Sequence, residues 1–184
     1  MFRKRWKPKT EPDEPVEIKD VEKARQRTMN RAVAFLAAKP RSVNELRERL
    51  LEKQWTNAEI VDAVLEKLKE YGYLDDAQFA RNFAASKLRQ KAVGKRRLQQ
   101  TLQQKQLDKE TVEAALEQVF EETPEEELIE LAIKKRTGIR GLPKDRDETK
   151  KLFDYLLRQG FGFELVRNKL REIKIEAAEE FEEQ

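Results

Sequence analysis

The feature that most narrows the choices for this chain is an apolar register that repeats. Leu46, Leu50, Trp55, Ile60, Val64 and Leu68 recur 52 residues later as Leu98, Leu102, Leu107, Val112, Leu116 and Phe120. They recur 54 residues further on as Leu152, Leu156, Phe161, Val166 and Leu170, and only the sixth place, Lys174, breaks the series. The residues between these places change freely, so the repeated object is a buried face. Each copy is also preceded by a helical stretch, at about 21–38, 76–91 and 124–137, which makes the unit three helices. Helices this short do not hold in water alone, so each apolar stripe must be covered within its unit and by the next one. The expected fold is all-α: three tandem three-helix repeats at 21–74, 75–122 and 123–175, forming an elongated curved array. A flexible arm at 1–20 and an acidic stretch at 176–184, either a frayed helix extension or an acidic tail, flank them.

Local signals mark the boundaries. Tyr71-Gly72-Tyr73-Leu74-Asp75-Asp76-Ala77-Gln78-Phe79-Ala80 closes one unit and opens the next. Gly72 suits the left-handed position that follows a helix. With Asp75 as N-cap, Gln78 falls at N3, Leu74 at N′ and Phe79 at N4, a capping box combined with a hydrophobic staple that would stiffen the junction. Ser42 with Glu45 and Thr56 with Glu59 mark two further helix starts, and Thr123-Pro124 reads as N-cap and N1. In the first helix Met29, Ala32, Val33 and Leu36 share a face, and Lys39-Pro40 ends it. Glu130 is spaced to pair with Lys134. The link from Lys135 to Asp147 is longer than its counterpart at 38–42, which predicts a more loosely held third unit.

Composition removes most chemistry. With 0 Cys and 0 His there are no disulfides, thiolate or imidazole metal ligands, and no Cys or His catalysis. Asp75-Asp76 and the Asp145/Asp147 pair both open helices, where Asp serves as a cap and meets the positive end of the dipole. There is no Gly-rich phosphate loop, nucleophile elbow or metal-binding helix motif. The expectation is a protein that is not an enzyme and needs no cofactor or metal. The basic start Arg3-Lys4-Arg5-Trp6-Lys7 is followed by no apolar run, so the arm is either a solubilising tail or a contact to a phosphate backbone. A soluble, cytoplasmic monomer without membrane association is expected.

The net charge of +3 conceals a polarised chain. From Lys87 to Lys109 the basic residues are Lys87, Arg89, Lys91, Lys95, Arg96, Arg97, Lys105 and Lys109, against the single acid Asp108. From Glu113 to Glu130 there are only acids. Glu125, Glu126 and Glu127 sit in a first helical turn, where negative charge is stabilised by about 0.3–1 kcal/mol each. Lys95, Arg96 and Arg97 follow Gly94 at a helix start, where cations oppose the dipole. Cations and free backbone N–H groups at a helix start make a site for phosphate or carboxylate. Lys87, Arg89 and Lys91 close the preceding helix, where cations are favoured. Few aromatic residues interleave with these charges, so base stacking and sequence reading are not indicated.

Three stretches carry a resemblance: Ser42-Val43-Asn44-Glu45-Leu46-Arg47-Glu48-Arg49-Leu50, Tyr71 to Asp76 with Phe79-Ala80, and Gly94-Lys95-Arg96-Arg97-Leu98. Over about Val21 to Ile173 the chain resembles the bacterial RecX family, regulators of the RecA recombinase. The resemblance implies a curved helical protein that binds RecA filaments on DNA along their groove. Such a protein limits filament growth and the ATPase, strand-exchange and coprotease activities that depend on it, and so regulates DNA repair and recombination. The family has no catalytic motif to carry over. The candidate contacts to the RecA filament, or to single- or double-stranded DNA without sequence specificity, are therefore the basic positions Lys87, Arg89, Lys91, Lys95, Arg96 and Arg97, with Lys105 and Arg81 beside them. A sequence-independent helical DNA-binding module and an adaptor using the acidic face are the competing readings.

Overall fold

The computed structural model describes residues 18–182, with the backbone alone at 140 and 174–182. The expected arm therefore lies outside the described residues up to residue 17. Among the described residues there are nine α-helices and no strand. They form two compact units, one ending at Asp75 and the other beginning at Asp76.

The first unit holds α1 (Val21–Ala38), α2 (Val43–Leu51) and α3 (Ala58–Glu70). Asp20 caps α1 by accepting from the Lys23 N–H at 3.0 Å, and Ser42 Oγ caps α2 by accepting from Glu45 N at 3.1 Å. The cap of α3 is Asn57, whose Oδ1 accepts from Ile60 N at 2.9 Å, and not Thr56. Thr56 is buried, and its hydroxyl accepts from that of Thr28 at 3.0 Å, which ties α1 to the turn before α3. The buried line of α1 is Ala24, Thr28 and Ala32, one residue per turn. Val33 stands about 100° round from Ala32 and is 48% exposed, so the expected face was one position too wide. Nine-residue α2 could not persist alone; Leu46 and Leu50 bury against Val61, Val64, Leu65 and Leu68 of α3, each contributing about 1.5–3 kcal/mol.

Gly72 ends α3 as expected. Its φ is 72°, its N–H donates to Lys69 O and that of Tyr73 to Leu68 O, both at 2.9 Å. These two bonds are the paired closure of a Schellman motif, and they swing the chain so that Leu74 drops back into the first core.

The second unit contains α4 (Asp76–Gln90), α5 (Lys95–Gln103), α6 (Lys109–Glu122), α7 (Glu125–Arg140), α8 (Arg146–Arg158) and α9 (Phe163–Glu182). Its single core joins the second and third repeats: Leu98, Leu102, Val112 and Leu116 share it with Leu152, Leu156, Phe161 and Val166. Three helix starts differ from expectation or sharpen it. Asp108 caps α6 by accepting the Thr111 N–H and hydroxyl, both at 2.7 Å, and these bonds, the N–H first, hold its carboxyl below the usual range. Thr123 closes α6, donating to Val119 O, which leaves Pro124 as the flanking residue of α7. Asp145 caps α8 by accepting from Glu148 N at 2.7 Å.

The link between α7 and α8 shrinks to residues 141–145, because α7 runs past Gly138 to Arg140. Glu130 does not reach Lys134; it binds Lys169 of α9 at 2.6 Å. Lys169 is mostly buried and also meets Glu172, and the two carboxylates, Glu130 first, raise its pKa above the ordinary lysine range. The acidic stretch continues α9 through Glu182, the helix extension among its two readings. No helix among the described residues is long and apolar enough to cross a membrane.

Candidate polyanion-binding site

The eight basic positions lie on α4, α5 and the turns on either side of α5. Arg81, Lys87 and Arg89 ride on α4, Lys91 follows its last turn, Lys95, Arg96 and Arg97 make the first turn of α5, and Lys105 follows its end. Cations at the close of α4 meet the negative end of its dipole and are stabilised there. Those at the start of α5 need another account, since Gly94 supplies no capping side chain.

The account lies in a close seam with the α8–α9 corner. Gly94 N donates to Gln159 O at 3.0 Å and Arg96 N to Gly160 O at 3.3 Å. A Cβ on Gly94 would lie 2.3 Å from Phe161 N, and one on Gly160 would lie 2.5 Å from Arg97 Cβ, so only glycine fits on either side. Gly160, with φ 91°, also turns the chain out of α8. From α7, the Glu125 carboxylate accepts from Lys95 N at 2.9 Å and so acts as the missing cap. Two of the N–H groups expected to be free for a ligand are thus already satisfied within the fold.

The side chains divide accordingly. The Arg97 guanidinium donates to Arg158 O at 3.0 Å and to Gln159 Oε1 at 3.4 Å, which places its charge on the last carbonyls of α8. Its partner is the protein itself. Lys87 and Lys105 stand over the Phe83 ring at 5.3 and 5.4 Å, and Phe79 stacks on that ring at 5.8 Å. Few aromatic residues lie among these cations in sequence, and folding brings this half-buried pair beside two of them. Arg81, Arg89, Lys91, Lys95 and Arg96 are exposed and form no ion pair among the described residues. Glu125, Gln159 and Gly160 were not singled out as site residues by sequence, because they reach α5 from 30 to more than 60 residues away.

The arrangement offers donors and positive charge without acid–base machinery. Among the described residues no group of carboxylates could hold a metal ion. Family models described as the first, second and third three-helix domains of RecX match residues 29–75, 75–116 and 123–170. The chain belongs to the RecX family. It is 32% identical over 148 residues to the regulatory protein RecX of Prosthecochloris aestuarii, covering 80% of this chain and 94% of that one. It is 29% identical to the regulatory protein RecX of a Clostridium botulinum strain, covering 77% of this chain but 66% of the clostridial protein's length. The crystal structure of RecX from Lactobacillus salivarius shares the fold, with a TM-score of 0.74 at 17% identity over 84% of this chain and 99% of that one. RecX proteins are regulators without catalysis, and the three RecX domains coincide with the three helical repeats. The Tyr71–Asp76 junction falls where the first domain hands over to the second, at residue 75.

Proposed function

We propose that this chain binds RecA filaments on DNA and restrains their growth, and with it the ATPase, strand-exchange and coprotease activities of the filament. The observation that carries the reading is the run of exposed cations at the end of α4 and the start of α5, Arg89, Lys91, Lys95 and Arg96, with Arg81 earlier on α4, none of which has a carboxylate partner among the described residues. Keeping like charges together costs stability unless an anion answers them. A phosphate backbone, or the acidic surface of a protein wound on it, answers them without sequence reading. Lys87 and Lys105, held over Phe83, extend the same run, whereas Arg97 holds the seam in place.

Regulation then follows by mass action. A protein that caps filament ends, or that lies across subunits and binds a growth-incompetent arrangement more tightly than the growing one, shifts the balance between growth and disassembly by that difference in affinity. Several modest contacts from linked repeats add up to a firm hold. The protein is read as acting in the cytoplasm, as a monomer. The test is steady-state ATP turnover by RecA on single-stranded DNA, with this protein titrated in. Turnover should fall at concentrations where the protein scarcely binds naked DNA. Unchanged turnover at saturating protein would refute the reading, and inhibition only where naked DNA is coated would favour a DNA-binding module instead.

A further inference from the structure

We infer that the cations gathered around Phe35 and Trp55 in the first unit form a second binding site, for the phosphodiester backbone of single-stranded nucleic acid. The inference rests on the proposed action at a RecA–DNA filament and adds a contact in the first repeat. Arg27 and Arg31, one turn apart on α1, place their guanidinium groups 3.9 Å from the Trp55 ring centre and 4.4 Å from that of Phe35. Arg41, from the α1–α2 turn, and Lys53, from the α2–α3 turn, approach the same Phe35 ring at 5.5 and 6.0 Å.

None of these four cations forms an ion pair among the described residues, although Arg25, Arg47, Arg49 and Lys69 of the same unit all do. Four cations without an ion pair therefore converge on two rings. A guanidinium that lies over a ring uses its flat face there and keeps its in-plane N–H groups for a phosphate, while an arginine plane can also stack a base. Two donors here, Arg41 Nε and Trp55 Nε1, are buried without an acceptor.

The second repeat uses the same device. Lys53 and Lys105 occupy the same place in the 52-residue register, and each stands over a phenylalanine of its repeat's first helix, Phe35 and Phe83. In that register Phe35 aligns with Lys87 and Phe83 with Arg31, so each repeat sets a cation and a ring at the same two places of its first helix, in opposite order.

The test is the salt dependence of binding to a labelled oligo(dT), measured by anisotropy from 50 to 200 mM NaCl. The R31Q/R41Q/K53Q variant should lower the slope of log K against log salt by about 2, and weaken binding at 50 mM by about tenfold or more. Its circular dichroism should match the wild type. If the triple variant folds poorly, K53Q and R31Q are measured singly, each expected to remove about 0.7 from the slope. An unchanged slope in folded variants, while R89A/K91A/K95A/R96A loses slope, overturns the second site and leaves the α4–α5 corner standing. Loss of RecA inhibition with the oligo(dT) slope intact also overturns it, because the occupant would then be protein.

Discussion

Replacing Gly94 with alanine tests whether the seam between α5 and the α8–α9 corner holds the cationic turn in place. The new Cβ would sit 2.3 Å from Phe161 N and 2.4 Å from both Gly160 C and O, all backbone atoms that have no rotamer by which to yield. Relief requires the seam to open by about 1 Å, the shortfall from an ordinary carbon contact. Opening stretches the hydrogen bonds from Gly94 N to Gln159 O and from Arg96 N to Gly160 O beyond useful length. Overpacking costs about 1–3 kcal/mol and two backbone hydrogen bonds about 1 kcal/mol each, so the second unit should lose about 3–5 kcal/mol. Urea unfolding followed by circular dichroism measures the loss, and amide exchange at Gly94 and Arg96 locates it. Gly138→Ala is the control: a Cβ there meets nothing within 4 Å inside α7, so stability should rise by about 0.5–1 kcal/mol. A G94A protein within 0.5 kcal/mol of wild type, with both amides still protected, would refute the reasoning.

Two further substitutions probe the caps and charges around these units. Glu125→Ala removes the carboxylate that accepts from Lys95 N, and should cost about 0.5–2 kcal/mol in the same urea titration, as loss of an N-cap does. The Arg47 side-chain hydrogen bond, aided by its charge, holds the Asp62 carboxyl below the usual range. A carboxylate depressed in the folded state stabilises it above about pH 4 and ceases to do so as pH falls through the folded value. Asp62→Asn should therefore cost about 0.2–1 kcal/mol at pH 7 for this exposed pair, and progressively less as pH falls through the folded value, in denaturant titrations over a series of acidic pH values.

Much of the helical architecture was legible because burial in a repeat leaves a periodic trace. Leu46, Leu98 and Leu152 fall in one register and are all buried, and Gly72 announced its own backbone conformation. Features that depend on a neighbour were less visible. Thr56 has the composition of a cap, but its hydroxyl is claimed by Thr28, 28 residues away, and the cap passes to Asn57. Glu130 has a lysine at helical spacing, yet Lys169 on a packed helix outcompetes it. The basic turn at Lys95–Arg97 was legible as an anomaly, since local dipole rules disfavour it. What those rules could not supply was its compensation: a carboxylate from α7, a carbonyl from Gly160 and, for Arg97, the last carbonyls of α8. Each comes from 30 or more residues away in sequence. The anomaly shrinks to the side chains of Lys95 and Arg96 with their neighbours on α4, for which the fold offers no partner.

Those side chains are where the account is most exposed to test. The variant R89A/K91A/K95A/R96A leaves Gly94, Arg97 and Glu125 in place, so its fold should persist by circular dichroism. RecA turnover on single-stranded DNA, titrated with this variant and with the wild type, compares them directly. The variant should need at least tenfold more protein to reach half-maximal inhibition, about 1.4 kcal/mol of lost affinity. Equal inhibition by a folded variant would contradict it.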